Sequence, residues 1–249
     1  EMKKRANALH DAGFKYAMID VVVAGTAAVQ TLRETLGDYG MAIHAHRAMH
    51  ASFDRNEKHG ITMQFLAKIM KLVGVDQIHT GTGVGKLVGT QEEIKAISSV
   101  LRDKNVKERR HLILEQNWEK LKPAFPVSSG GVHPGLVPDE MKIYGNDFVI
   151  LVSGGIHGHP KGPRAGARAA MQAIEAANKK ISLEEFSKTH KELKEALDRK
   201  EYKEIEEQNL FMAPVMESQV VRLNNIFFKK KTAELLKESY PELNRFVEF

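Results

Sequence analysis

The feature that most constrains the fold of this chain is a repeated alternation of short apolar runs with longer amphipathic segments. The apolar runs predict β-strands, and the segments between them predict helices that each carry one apolar stripe. Strands and helices that alternate at intervals of roughly 25 to 45 residues are typical of a parallel sheet with helices outside it. The five predicted strands are residues 14–24, 41–46, 75–79, 126–129 and 147–152.

Helical periodicity fills the stretches between and after these strands. An open doubly wound sheet and part of an eight-stranded barrel both fit this order of elements, because local periodicity does not distinguish them. The predicted helices are residues 27–38, 59–72, 90–103 and 164–178.

Beyond residue 180 the pattern changes from alternation to helix alone. Ser182 and Glu185 have the spacing of a capping box, in which a hydroxyl side chain caps the start of a helix. One helix is predicted to continue from there through a surface rich in lysine and glutamate. Its apolar stripe consists of Leu183, Phe186, Leu193 and Leu197.

Composition excludes several classes of protein. The 249 residues contain no cysteine, which excludes disulfides and thiolate metal sites and favours the cytoplasm. The net charge of +5 is spread along the chain, and the tight basic run at residues 229–231 is short, so we expect no nucleic-acid partner. The apolar run at residues 21–24 is far shorter than the roughly 20 residues that a membrane span needs, so we expect no membrane partner.

Functional side chains and glycines follow the predicted strands, at the point where each strand ends. The carboxyl ends of parallel strands meet at one edge, where barrels and open α/β sheets place their active sites. The candidate site residues are His46, Arg47, His79, Lys86, Ser129, Gly130, Gly131, Ser153 and Gly154.

The last two strands are each followed by a glycine turn that leads toward a helix. Backbone N–H groups approach an anion closely at such turns, and a helix N-terminus adds positive potential. Arg47 and Lys86 stand at two other strand ends. Two glycine turns together with two cations predict a ligand that carries two phosphates.

Simpler interpretations stay open for each motif alone. The segment GTGVGKL is not a P-loop, because Thr80 replaces the first glycine and Leu87 replaces the Ser or Thr that holds magnesium. His44, His46 and His50 could suggest a metal site, but His44 and His46 share one face only if their strand is regular, no carboxylate joins those two nearby, and structural histidines are more frequent. We therefore predict no metal site in this chain. A glycine pair alone is more often an ordinary turn.

Four segments give the chain a specific resemblance. Residues 42–60, 76–89, 126–135 and 153–170 resemble, in order and spacing, consecutive signature segments of the ribulose bisphosphate carboxylase (RuBisCO) large subunit. The likeness extends over about residues 1–180. The turn HPGLVP and the ending GHPKGPRAGARAA are similar to the archaeal, form III branch of that family.

The resemblance implies a fold and an activity. Residues 1–180 would form part of a (β/α)8 TIM barrel, about strands four to eight with their helices, and residues 181–249 a helical C-terminal extension. The reaction would be addition of carbon dioxide, or wastefully oxygen, to the enediolate of ribulose bisphosphate, giving 3-phosphoglycerate. Relatives of this branch are cytoplasmic homo-oligomers built from dimers of large chains.

The resemblance also implies catalytic roles for two of the candidate residues. His46 would transfer protons, for which the near-neutral pKa of histidine is suited. Lys86, on a mobile glycine loop that closes over the substrate, would stabilise charge developing on carbon dioxide.

The remaining candidates would bind substrate. Arg47 and His79 would bind one phosphate, to which a planar guanidinium is well matched. The groups that would bind substrate hydroxyl and phosphate oxygens and complete the second phosphate cradle are Ser129, Gly130, Gly131, Ser153 and Gly154.

Three departures from the family pattern limit these implications. The family's Mg²⁺ ligands, a carbamylated lysine with a nearby Asp and Glu, have no counterpart here, and neither do the lysine that abstracts the first proton and the N-terminal domain. Ser153 stands where most relatives have glycine. The last forty residues match no family ending. The chain could thus be a fragment of a carboxylase that is inactive alone, a RuBisCO-like sugar-phosphate enolase or isomerase, or a truncated product that binds phosphates without turnover.

Overall fold

The structure is a computed structural model that describes residues 1–56, 58–84, 90–110 and 112–198. The chain divides into two compact units, Glu1–Gln208 and Asn209–Phe249, and all the described residues belong to the first. Lys86 and the basic run at 229–231 lie outside the described residues. No helix within the described ranges is long and apolar enough to cross a membrane.

Five parallel strands form the main sheet, in the order β1-β2-β3-β6-β7, and two short antiparallel strands lie beside it. The predicted parallel α/β fold is therefore confirmed. The strands are β1 (Tyr16–Asp20), β2 (Ala42–His46), β3 (Gln77–Gly81), β4 (Asn105–Val106), β5 (Gln116–Asn117), β6 (Phe125–Ser129) and β7 (Val149–Leu151).

Eleven α-helices and one 3-10 turn are formed by the described residues. The four helices predicted between and after the strands correspond to α3, α5, α6 and α9. The helices are α1 (Met2–Asp11), α2 (Val21–Ala24), α3 (Thr26–Asp38), α4 (Ala51–Asp54), α5 (Met63–Val73), α6 (Gln91–Arg102), α7 (Val137–Tyr144), α8 (Gly154–His157), α9 (Pro163–Asn178), α10 (Leu183–Ser187) and α11 (Lys191–Leu197), and the 3-10 turn is Pro134–Leu136.

The first strand is shorter than predicted. The apolar run 14–24 was expected to be one strand, but pairing with β2 ends at Asp20 and His46, and the next four residues form α2. Among the described residues no strand pairs with the chain beyond Asp20, so the next backbone groups form helical hydrogen bonds instead. The prediction of a single strand to residue 24 was wrong.

The start of α5 also differs from its prediction. The helix was expected from residue 59, but it begins at Met63 because Thr62 Oγ1 accepts a hydrogen bond from the N–H of Phe65 at 3.2 Å. Thr90 caps α6 in the same way, accepting from the N–H of Glu93. Threonine at the N-cap satisfies a backbone donor that the helix leaves unpaired.

The helix predicted after residue 182 consists of two helices. Ser182 Oγ accepts from the N–H of Glu185 as expected, but α10 ends at Ser187 and α11 begins at Lys191. His190 Nδ1 lies 2.8 Å from the carbonyl oxygen of Phe186, so a side chain occupies the acceptor that a continuing helix would use.

Both helices pack within the first compact unit. Leu183, Phe186 and Leu193 are buried in one cluster with Val137 of α7 and Ala173 of α9. The first compact unit therefore includes both helices, because the apolar faces of α10 and α11 need α7 and α9 to cover them.

Helices pack against one face of the sheet, whereas strand residues on the other face are exposed. Ala17, Ile43 and Ile78 are buried in the main core against α1, α3, α5 and α6. On the opposite face, Tyr16 is 58% exposed and Met18 is 69% exposed. A doubly wound sheet has helices on both faces, so this one-sided cover favours the barrel alternative. The candidate site lies on the less covered face.

Candidate functional site

Three histidines meet at the carboxyl ends of β2 and β3. His44 and His46 occupy alternate positions of a regular strand and so point to the same face, where their neighbour is His79 of β3. The ring centroid of His79 lies 4.8 Å from that of His44 and 4.7 Å from that of His46, with both pairs edge to face.

A hydrogen-bonded chain connects three strands through these rings. His44 Nδ1 lies 2.7 Å from Gln77 Oε1, His44 Nε2 lies 2.7 Å from His79 Nε2, and His79 Nδ1 lies 2.7 Å from Ser129 Oγ. The amide oxygen of Gln77 only accepts, so His44 donates to it, His79 donates to His44, and Ser129 donates to His79. With both imidazoles in a neutral form, each ring nitrogen in this hydrogen-bonded series has one partner.

Burial keeps His79 in that neutral form. It lowers the pKa of His79 to about 4, and the nearby His44, His46 and Arg47 act in the same direction, whereas Asp20 opposes them. His79 is consequently uncharged at neutral pH, and positive charge at this edge of the sheet comes from elsewhere.

His46 has a different partner. Its Nδ1 lies 2.5 Å from Asp20 Oδ1 at the end of β1. A carboxylate that accepts from Nδ1–H orients the ring and leaves the basic lone pair of the neutral form on Nε2. This pair has the chemistry of a proton-transfer group held in one orientation.

Arg47 follows directly after β2 and supplies the cation. Its guanidinium lies against Gly81 so closely that a Cβ at residue 81 would be 2.7 Å from Arg47 Nη2. Burial lowers the pKa of Arg47, while the charges of Asp54 and Glu93 act in the opposite direction. A guanidinium starts from so high a pKa that it stays charged.

The first glycine turn begins where β6 ends. Gly130 and Gly131 have φ of +115° and +73°, a backbone conformation that glycine adopts easily and other residues rarely do. Thr82 Oγ1 donates to the carbonyl oxygen of Gly130 at 3.4 Å, which links this turn to the end of β3. Ser129, Gly130 and Gly131 thus lie beside His79, as the strand-end argument predicted.

The second glycine turn follows β7. Ser153 has φ of −99° and is exposed, so its Cβ causes no backbone strain, and nothing lies within 4 Å of a Cβ built on Gly154. A Cβ on Gly155 would lie 2.8 Å from the Cα of His133, which shows how closely this turn approaches the segment after β6. The two glycine turns are therefore neighbours.

Most of the predicted residues come together at one edge of the sheet. His46 bonds to Asp20, His79 bonds to Ser129, and the Arg47 guanidinium lies against Gly81. Gly130 and Gly131 directly follow Ser129, and Ser153 and Gly154 follow β7. Lys86 lies outside the described residues, so its prediction stays a prediction.

Several functional groups at this edge were missed by sequence reasoning. Asp20 stands at a strand end like the predicted residues, but the strand predicted to residue 24 hid that position. Glu140 and Tyr144 belong to the buried stripe of α7, together with Val137 and Ile143. A charged residue on such a stripe is a signal that the sequence did offer.

The described residues do not form a magnesium site. No group of three or more His, Cys, Asp or Glu side chains within the described ranges is placed to hold a metal ion. His44 and His79 use the facing nitrogens for each other, and magnesium prefers oxygen ligands.

Comparison with known proteins gives a consistent result. Residues 1–200 match the family model described as ribulose bisphosphate carboxylase large chain, catalytic domain. A ribulose bisphosphate carboxylase of Pyrococcus abyssi is 53% identical over 198 residues, which are 80% of this chain and 44% of the relative.

Solved structures of archaeal relatives resemble the chain in fold and sequence. The octameric RuBisCO of Pyrococcus horikoshii is 50% identical with a TM-score of 0.69, over 78% of this chain and 44% of that one. The dimeric RuBisCO of Hyperthermus butylicus is 44% identical with a TM-score of 0.75, over 80% of this chain and 46% of that one. The chain spans less than half the length of these relatives.

Proposed function

The chain belongs to the ribulose bisphosphate carboxylase large-chain family, and from this premise we propose that it forms the phosphate-binding part of a ribulose bisphosphate carboxylase active site. The reaction is addition of carbon dioxide, or oxygen, to the enediolate of ribulose bisphosphate, with 3-phosphoglycerate as the product of carboxylation. The observation that carries this proposal is the convergence of Arg47, His79 and Ser129 at one sheet edge beside two neighbouring glycine turns.

Arg47 is the principal group for the first phosphate in this proposal. The guanidinium offers paired donors that match phosphate oxygens. His79 is neutral and has both ring nitrogens engaged, by His44 and by Ser129. A phosphate oxygen therefore replaces one of these partners and accepts a hydrogen bond from the ring, rather than pairing with a second charge.

The glycine turns are proposed to bind the rest of the substrate. Ser129, Gly130 and Gly131 bind hydroxyl and phosphate oxygens, and Ser153 and Gly154 form the cradle for the second phosphate. Open space next to Gly154 supports this role, because an anion can approach its backbone. The Ser153 hydroxyl is an added donor at the position where most relatives have glycine.

Two residues are proposed to act on the reacting atoms. His46 transfers a proton through Nε2, and its bond to Asp20 supports the assignment because it holds the ring in one orientation. Lys86 is proposed to stabilise charge on the incoming carbon dioxide. When bound, the family's Mg²⁺ would supply Lewis-acid stabilisation of the enediolate, but the described residues do not fit it, and its ligands are proposed to come from other parts of a full-length enzyme.

The wider architecture is also a proposal. We place the sheet as strands four to eight of a (β/α)8 barrel, with residues 1–180 as its barrel part and 181–249 as a C-terminal extension. The one-sided helix cover of the sheet supports a barrel wall. The assembly is proposed to be a homo-oligomer based on dimers, of the archaeal form III type, in the cytoplasm. Its support is that the similar solved structures include a dimeric and an octameric RuBisCO.

A second candidate function is bisphosphate binding without turnover. The absence of a metal-binding cluster among the described residues favours it for the 249-residue chain alone. A RuBisCO-like enolase or isomerase is less well supported, because His46, Arg47, His79 and Lys86 are all present in the sequence.

Calorimetric titration of the 249-residue chain with ribulose bisphosphate tests the proposal. We expect Arg47→Ala to weaken binding about tenfold or more, since a charge-assisted hydrogen bond is worth roughly 1.5–3 kcal/mol. Arg5→Ala, a matched change on exposed α1, should bind like the wild-type chain. Equal affinity for wild type and Arg47→Ala, or no binding by wild type, would contradict the proposal.

A further inference from the structure

We propose that α7 positions the substrate-binding edge through two buried side chains, Glu140 and Tyr144, which act through the strand ends that they hold. The inference rests on the proposed function, because it concerns the same bisphosphate site. The two residues are four apart on one helix and therefore lie on the same face. One contacts the end of β3 and the other contacts the end of β6.

Tyr144 holds the end of β3. Its ring is buried and stacks on Phe148 with 4.9 Å between centroids, and its hydroxyl donates to the carbonyl oxygen of Gly81 at 2.7 Å. Thr80 Oγ1 lies 2.8 Å from the same hydroxyl and can donate to it. The tyrosine hydroxyl is thus fully used in fixing the last two residues of the strand.

The residue that Tyr144 holds is the one on which Arg47 lies. Gly81 has φ of +101°, and its missing side chain leaves the space that the Arg47 guanidinium occupies. A shift of the Gly81 peptide therefore shifts the surface under the guanidinium. Through Gly81, the hydroxyl of Tyr144 determines where the proposed phosphate-binding cation sits.

Glu140 holds the end of β6. Its Oε2 accepts from Ser128 Oγ at 2.7 Å, and neither residue is accessible to solvent. Ser128 precedes Ser129, whose hydroxyl bonds to His79. The backbone of Val84, just beyond β3, also stabilises the charged carboxylate, although Glu140 Oε1 has no hydrogen-bond partner among the described residues.

A buried carboxyl group with an unpartnered oxygen is costly for the fold. An apolar side chain of similar size would fill the same space without the desolvation penalty. Ile143, between the two residues, packs so close to the chain after β3 that a Cβ on Gly83 would lie 2.2 Å from its Cδ1. Together, these contacts make α7 a continuous support under residues 81–84 and 128–129.

The experiment compares Tyr144→Phe, Glu140→Leu and Glu140→Gln with the wild-type 249-residue chain. Ribulose bisphosphate affinity is measured by calorimetry, and amide hydrogen exchange of the ligand-free chain is measured over residues 78–84 and 126–131. We expect Tyr144→Phe and Glu140→Leu to weaken binding about three- to tenfold and to accelerate exchange in these two segments. Glu140→Gln should recover most of the affinity, because an amide oxygen still accepts from Ser128.

The melting temperatures of the variants distinguish a positioning role from a merely structural one. Glu140→Leu should melt at the same or a higher temperature than wild type, while binding more weakly. Lys142→Ala, an exposed change on the same helix, is the matched control and should alter neither quantity. Loss of binding that accompanies a lower melting temperature and faster exchange throughout the sheet would overturn the inference.

The inference and the proposed function fail in different ways. If Arg47→Ala loses binding while Tyr144→Phe and Glu140→Leu bind and exchange like wild type, the inference is overturned and the proposed function stands. If the wild-type chain does not bind the bisphosphate, the proposed function is overturned. Unchanged exchange at residues 78–84 and 126–131 in both variants overturns the positioning role in either case.

Discussion

The Nε2 atoms of His44 and His79 lie 2.7 Å apart, so one imidazole must donate a proton to the other, and the two rings cannot both be charged. Burial, reinforced by His44, lowers the pKa of His79 to about 4. The site is thus built around His79 in its neutral form. Arg47, which stays protonated, supplies the positive charge for a phosphate.

The low pKa of His79 predicts that the stability of the fold depends on pH, and the raised pKa of Glu140 predicts a dependence of opposite sign. The pKa of His79 in the folded chain, about 4, is lower than the ordinary value of 6.5. The contribution of His79 to the free energy of unfolding is therefore fully present above pH 6.5 and is lost as the pH falls toward 4. Burial raises the pKa of Glu140 from 4.5 to about 7. Glu140 therefore lowers the free energy of unfolding as the pH rises from 4.5 to 7. Each shift corresponds to about 3 kcal/mol.

We therefore expect Glu140→Gln to make acid destabilisation steeper. Between pH 7 and 4.5, the free energy of unfolding of this variant should fall by about 3 kcal/mol relative to wild type, because the opposing contribution of Glu140 is removed. Urea unfolding at a series of pH values measures this difference. His10→Gln on exposed α1 is the control. If the stability of Glu140→Gln and of wild type changed with pH in parallel, this would contradict the raised pKa of buried Glu140.

Gly81→Ala tests the contact between Arg47 and the end of β3. A Cβ there meets Arg47 Nη2 at 2.7 Å, and φ of +101° is unfavourable for alanine. We expect a loss of stability larger than the roughly 1–2 kcal/mol that positive φ alone costs, together with weaker ribulose bisphosphate binding.

Gly13→Ala is the matched control for that change. Gly13 has φ of +80°, and nothing lies within 4 Å of a Cβ built on it. This variant should lose the stability that a positive φ costs alanine, without any change in ribulose bisphosphate binding. Equal effects of the two substitutions in urea unfolding and calorimetry would show that Arg47 does not depend on Gly81.

The exposed face of β1 predicts self-association of the chain at high concentration. Met18 is 69% exposed on a strand that pairs only with β2 among the described residues, and an apolar edge strand promotes strand pairing between molecules. Met18→Lys should lower the average mass measured by sedimentation. Met171→Lys, a change at a 64% exposed methionine of α9, should not. A wild-type chain that is monomeric at every concentration would contradict this.

The 249-residue chain alone is expected to fix no carbon dioxide. No metal-binding cluster occurs within the described residues, and metal stabilisation of an enediolate is worth several kcal/mol. Incorporation of labelled bicarbonate into 3-phosphoglycerate should be no greater than for Lys86→Ala. Incorporation above that control would overturn the expectation and would favour a complete active site over bisphosphate binding without turnover.

The features that could be predicted from the sequence are local. Apolar periodicity identified all five strands of the main sheet and the helices α3, α5, α6 and α9, but not α7, because a strand or helix presents its buried face at a fixed spacing only when it is long enough to repeat that spacing. Threonine and serine caps are equally local, as the capping box at Ser182 shows. The rule that parallel strands end at one edge also predicted that Arg47, His79 and Ser129 lie together.

Only the tertiary structure decided which side chains pair at that edge. Asp20 reaches His46 across 26 residues of sequence, Glu140 reaches Ser128 across 12, and Tyr144 reaches Gly81 across 63. Such partners depend on strand order, register and the placement of α7, which no spacing along the chain encodes. The one-sided cover of the sheet has the same origin, because periodicity shows that a face is apolar but does not show what packs against it.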